Sequence, residues 1–228
     1  MLKTLLFAAG ASLPLLLGAI IGVRWRPPKH LVATALAYAA GALIASVSFE
    51  LFEPSYQDGG PVRAGLSFAA GAIVFVVADY ALDRRSAGNP TGFALLAGVT
   101  LDGIPENTAL GVSLTGAGSI GLLVAVFASN FPEALAGAIS MRDKGRSARS
   151  VVGLWAGATV LLAVAVFAGR LAFAGASPET LALPLAFAAG AVLASVIDTL
   201  APEAFGEGGP LIALASAAGF VTGYSLSL

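Results

Sequence analysis

The chain has 228 residues, of which 57% are hydrophobic and only 11% charged, far below the roughly one-quarter charged content of soluble domains. Its net charge of −1 excludes a broad nucleic-acid footprint. The absence of cysteine excludes disulfides, thiolate metal sites and cysteine nucleophiles. The 28 glycines would weaken helices in water, but small residues favour close helix contacts in a bilayer.

Eight apolar segments follow one another, at about 2–23, 31–52, 62–82, 92–113, 118–141, 150–170, 181–202 and 209–227. About 18 apolar residues suffice to span a bilayer. The expected fold is therefore all-α, a single transmembrane domain over residues 1–228 built as a polytopic bundle of eight transmembrane helices. The first segment, from Met1-Leu2-Lys3 to Val23, is longer than the apolar core of a signal peptide and reads as a span. The connections are short and hold most of the charge and proline, as in Arg24-Trp25-Arg26-Pro27-Pro28. The single histidine, His30, lies beside Arg24, Arg26 and Lys29 and reads as a solvated loop residue. Trp25 and Trp155 read as anchors at the membrane interface.

Lysine and arginine placement predicts orientation. Connections 1, 3, 5 and 7 carry Arg24, Arg26, Lys29, Arg84, Arg85, Arg142, Lys144, Arg146 and Arg149, whereas the other side has Lys3, Arg63 and Arg170. The odd connections should face the cytoplasm, leaving both termini outside. The expected location is the cell membrane, the inner membrane of a prokaryote.

Span two ends in AAGALIASVSFELFEPSY (39–56) and span seven in AAGAVLASVIDTLAPEAF (188–205), identical at eight of the first thirteen aligned positions. These spans are five apart and so cross in opposite directions. The expectation is an inverted repeat, with spans 1–3 related to 6–8 around spans 4 and 5, a 3+2+3 arrangement typical of alternating-access transporters.

Span four contains Asp102-Gly103-Ile104-Pro105-Glu106-Asn107, and span five contains Ser129-Asn130-Phe131-Pro132-Glu133. Residues i and i+4 share a helix face, so Asp102 joins Glu106 and Ser129 joins Glu133, with Asn130 three residues before Glu133. Pro105 and Pro132 should free the carbonyls of Leu101 and Ala128, which need other partners in a dry environment. Three ionised, unpaired carboxylates at mid-membrane would cost roughly 8–10 kcal/mol even on the lenient insertion scale. No lysine or arginine within these spans offsets them. They must be protonated, hydrated or bound to cations, which describes a proton or cation pathway. Glu50 and Asp198 lie deep enough in spans two and seven to extend it. Glu53 and Glu203 sit nearer the mouths, Asp79 reads as interfacial, and Asn107 could add an amide oxygen.

These residues resemble the ZIP family of divalent-metal transporters, whose fourth and fifth spans carry a His-Asn-x-Pro-Glu-Gly type signature. The resemblance covers the whole chain in topology, and in residue detail the two Pro-Glu motifs and the Glu-Pro or Pro-Glu ends of spans two and seven. It implies a metal site between spans four and five built from Asp102, Glu106, Ser129, Asn130 and Glu133, with Glu106 and Glu133 as the paired glutamates. Asp102 and Ser129 fall where the family usually has histidines, and Gly103 and Asn130 where it has further side-chain ligands. The sixth span lacks the carboxylate that many members supply there, and the loop after span three shrinks to about ten residues, Asp83 to Thr91.

The expected function is a divalent-cation transporter, not an enzyme, with the metal ion as substrate and Asn107, Glu50, Asp198 and Glu203 along the pathway. Family resemblance points to zinc or iron, while a nearly all-oxygen ligand set suits manganese or harder ions. The alternative is a membrane protein that binds or senses metal without transporting it. An intramembrane aspartyl hydrolase would need a pair of aspartates sharing a proton; Asp102 and Asp198 are the only deep pair, and the context around them does not match. Partners are divalent metal ions and the lipid bilayer. Glycine and alanine contacts would also permit a homodimer.

Overall fold

The computed structural model describes residues 1–86, 92–210 and 212–228, less the side chains of 85, 86, 92–96 and 207. The described residues form eight continuous helices and no strands. They are α1 (Leu2–Gly22), α2 (Lys29–Gly59), α3 (Pro61–Ser86), α4 (Gly92–Ser113), α5 (Ile120–Asp143), α6 (Ala148–Ala172), α7 (178–208) and α8 (Ile212–Ser227). Six of these, α1, α2, α3, α5, α6 and α7, are long and apolar enough to cross a membrane. The architecture is that of a polytopic helical membrane protein. Most of the short connection expected after span three, residues 87–91, lies outside the described residues.

Local chemistry sets the helix ends. Ser119, Ser147 and Ser177 cap α5, α6 and α7, each hydroxyl accepting from a backbone N–H three residues on, at 2.8, 3.2 and 3.4 Å. Helices α2 and α7 both stop at a glycine in the left-handed region, Gly60 (φ 78°) and Gly209 (φ 68°).

Helices α2 and α7 run well past the expected ends near 52 and 202. Each widens into a π-helical turn, at Val47–Phe52 and Val196–Leu200, and then continues as α-helix to Gly59 and Gly208. Pro54 and Pro202, expected to end these spans, sit in the first turn after the widening. There the looser winding spares the clash of the ring with the carbonyl four residues earlier. Pro105 and Pro132 likewise lie inside uninterrupted helices.

The helices pack as pairs: α1 on α5, α4 on α6, α2 on α8 and α3 on α7, with α1 and α6 also in contact. Helices α4 and α5 touch each other only sparingly and are held mainly by their outer neighbours. Glycines set the crossings. A Cβ on Gly41 would strike the Ser216 carbonyl of α8, and one on Gly219 the Tyr38 carbonyl of α2. Gly190 and Gly71 do the same between α7 and α3, against the carbonyls of Phe68 and Phe187. In lipid, where helix association gains nothing from apolar transfer, such close approach supplies the dispersion energy.

The core runs through Leu43, Leu51, Leu110, Leu122, Val126, Val166, Val192, Val196 and Leu200. Many large apolar side chains point outward instead, among them Leu66, Ile73, Val76 and Val77 on α3 and Val160, Leu161 and Val164 on α6. This belt suits an acyl-chain solvent. The two ends of the bundle differ. Arg26, Lys29, Asp143, Lys144 and Glu203 gather at one end, the basic face, where Arg26 pairs with Asp143 at 2.7 Å. Glu50, Gly118, Ser119 and Ser227 gather at the other, the face of the two termini, where Lys3 also donates to the Ala117 carbonyl.

One anchor expected at the interface is not there. Trp25 is exposed, but Trp155 is 2% exposed and buried against Gly137, where any larger residue would collide with the indole. It belongs to a core cluster with Leu15, Met141 and Leu162. In the Trp25→Phe variant, fluorescence from Trp155 should be blue-shifted and resist acrylamide; strong quenching would contradict this placement.

Candidate functional site

Helix α4 carries Asp102 and Glu106 one turn apart, and α5 carries Ser129, Asn130 and Glu133 over a similar turn. Glu106, Asn107, Ser129 and Asn130 are buried, and Asp102 and Glu133 are partly buried. The acidic side chains come together as the spacing requires. Glu106 lies within electrostatic reach of Asp102, and Glu133 within reach of Glu106, Asp102 and Glu203. Gly103, between them, faces the Leu162 side chain of α6, which fills the space a ligand would need.

The neutral members have local tasks. The Asn130 amide donates to the Ala11 carbonyl of α1 at 2.7 Å, tying α5 to α1. Ser129 donates to the Val126 carbonyl at 3.1 Å. The Asn107 amide donates to the Gly103 carbonyl at 2.8 Å, while its Oδ1 is buried without a hydrogen-bond partner. An orphaned acceptor of this kind costs about 1–3 kcal/mol.

Asp102 accepts from Ser195 Oγ of α7 at 2.9 Å. Reading the motif residues alone misses this serine. It belongs to the Ala-Ser-Val block shared by α2 and α7, which is the signal that could have found it. The matching serine on α2, Ser46, is buried with its hydroxyl unpartnered. A second acidic contact was also unexpected. Asp79 of α3, read as merely interfacial, meets Asp198 of α7 within hydrogen-bonding reach, and Asp102 is within electrostatic reach of both.

The remaining acidic residues divide between the two faces. Glu203, exposed, lines a cavity of about 540 Å³ on the basic face, walled by Val32, Ala33 and Leu36 of α2 and Ala136 and Ile139 of α5. Glu50 lies in a pocket of about 330 Å³ on the opposite face, where it accepts from Ser227 Oγ at 2.8 Å. Glu53 is exposed and accepts from Gln57 at 3.1 Å.

Among the described residues, no three His, Cys, Asp or Glu side chains form a group that could hold a metal ion. Of the five expected residues, the three carboxylates Asp102, Glu106 and Glu133 lie within electrostatic reach of one another. Asp102 is engaged by Ser195 and the Asn130 amide by Ala11, which leaves Glu106 and Glu133 as the acidic pair between α4 and α5. No protein-family model matches the chain, and a search of characterised proteins finds no match.

Proposed function

We propose that this membrane protein is a divalent-cation transporter whose substrate passes between α4 and α5 at Glu106 and Glu133. One observation carries the reading. Three acidic side chains, Asp102, Glu106 and Glu133, lie within electrostatic reach of one another inside the bundle, and neither helix supplies a basic residue within its apolar stretch. A positive ion relieves that repulsion more simply than any packing role does. The inner cavity below Glu133, with Glu203 on its wall, provides a way out on the basic face, which the positive-inside rule assigns to the cytoplasm. The termini then lie outside, and the eight helices are eight spans.

An inverted repeat accounts for several otherwise separate facts. Under the alignment of α2 with α7, the π-helical turns begin at the same position, Val47 and Val196. Gly41 and Gly190, also aligned, make the same kind of crossing with α8 and with α3. The pairing of α1 with α5 has its counterpart in α6 with α4. Two related halves around a central pair are a natural machine for alternating access.

Oxygen donors dominate the site, so Mn²⁺ is the first ion to try, with Zn²⁺ and Fe²⁺ beside it. Reconstituted protein should move at least one of Mn²⁺, Zn²⁺, Fe²⁺, Cd²⁺ or Mg²⁺ into proteoliposomes faster than empty vesicles do. Calorimetric binding without flux would favour a metal-binding or sensing protein instead. The absence of both binding and flux would overturn the proposal.

A further inference from the structure

Three helices build the surroundings of Glu50. The π-helical turn of α2 presents it, Ser227 near the end of α8 donates to its Oε1 at 2.8 Å, and its carboxylate lies beside the first turn of α5, near the Leu122 N–H that donates to Ser119 Oγ. Gly121 completes the seat, since a Cβ there would collide with Oε1. A carboxylate at a helix N-terminus is stabilised by the exposed N–H groups and the helix dipole. The same carboxylate borders the pocket of about 330 Å³ that opens on the face of the termini beside Gly118, Ser119 and Ile120. One turn inward on the same helix, Ser46 is fully buried with an unpartnered hydroxyl. A second polar group therefore sits one turn behind Glu50 on the same helix, out of contact with solvent.

We infer that the pocket at Glu50 is an outer entry site for a divalent cation, and that Glu50 is also its latch. Seated on Ser227 and the α5 N-terminus, the carboxylate closes the outer end while the cavity on the opposite face stays open. A cation arriving in the pocket competes for the carboxylate, lifts it from its seat and opens the way toward Ser46. This inference rests on the transport reading for its direction, but its contacts are independent of flux.

The absence of cysteine in the chain makes a clean test. A single cysteine at Ser46, replacing one small buried side chain by another, is probed in intact cells with a membrane-impermeant thiol reagent applied from outside. An Ile120→Cys protein, exposed beside the pocket, serves as the labelled control. In the Ser46→Cys background, adding Glu50→Gln or Gly121→Ala should speed labelling by about tenfold, the loss expected for one charge-assisted contact. Mn²⁺ should also speed labelling when Glu50 is present and have no effect in Glu50→Gln. Glu50→Gln barely changes side-chain volume, so the test survives if Gly121→Ala fails to fold. Labelling of Ser46→Cys that is equally fast with and without the latch substitutions would overturn the latch. Acceleration by Mn²⁺ that persists in Glu50→Gln would overturn the entry site. Faster labelling in a protein that shows no flux would leave the latch standing and remove the transport reading.

Discussion

Glu106→Gln and Glu133→Gln should each reduce cation uptake in proteoliposomes to near background while the protein remains folded. These two side chains are the acidic pair left between α4 and α5 once Asp102 is engaged by Ser195. Losing one buried charged contact typically costs about 2–5 kcal/mol, a loss of more than roughly thirtyfold in affinity. Stability should move the other way. Each substitution removes a carboxylate that is repelled by acidic neighbours and has no basic partner on its own helix, so thermal unfolding in detergent should be unchanged or shifted upward. The pairing of lost uptake with retained stability separates a functional carboxylate from a structural one. Undiminished uptake in both variants would remove this pair from the pathway.

The second large effect concerns the helix crossings. Gly190→Ala should destabilise the protein severely, because the added methyl would collide with the Phe68 carbonyl, a backbone atom that cannot rotate away. Helices α3 and α7 would have to separate, losing contact along their length. Overpacking of this kind costs about 1–3 kcal/mol or more, a fall of roughly 5–10 °C in unfolding temperature for a chain of this size. Gly41→Ala, facing the Ser216 carbonyl of α8, should behave alike. Gly65→Ala is the control, since nothing lies within 4 Å of the point its methyl would occupy, and its better helix propensity should leave stability equal or slightly improved. A Gly190→Ala protein as stable as the Gly65→Ala protein would show that this crossing is looser than its geometry implies.

Much of this protein is legible in its sequence, for a reason specific to lipid. Hydrocarbon cannot satisfy a backbone N–H or carbonyl, so long apolar runs have to be helices, and their lengths follow from bilayer thickness. The boundaries of α4 coincide with the expected 92–113, and those of α1 and α5 nearly do. The i, i+4 rule correctly brings Asp102 toward Glu106, because helix geometry alone decides that neighbourhood.

What the sequence could not supply depends on relations between helices. Proline at 54 and 202 reads as an ending, yet π-helical turns absorb both and extend α2 and α7 by several residues. Trp155 reads as an anchor until Gly137 of a neighbouring helix offers it a buried notch. Ser195 and Asp79 carry no motif and gain meaning only from the carboxylates they meet across helices. Composition and periodicity fix which segments enter the membrane and which faces carry charge, since these are properties of one helix in its solvent. Which carboxylate a serine engages and which buried serine is left without a hydrogen-bond partner depend on contacts between residues far apart in the chain, and packing alone decides those.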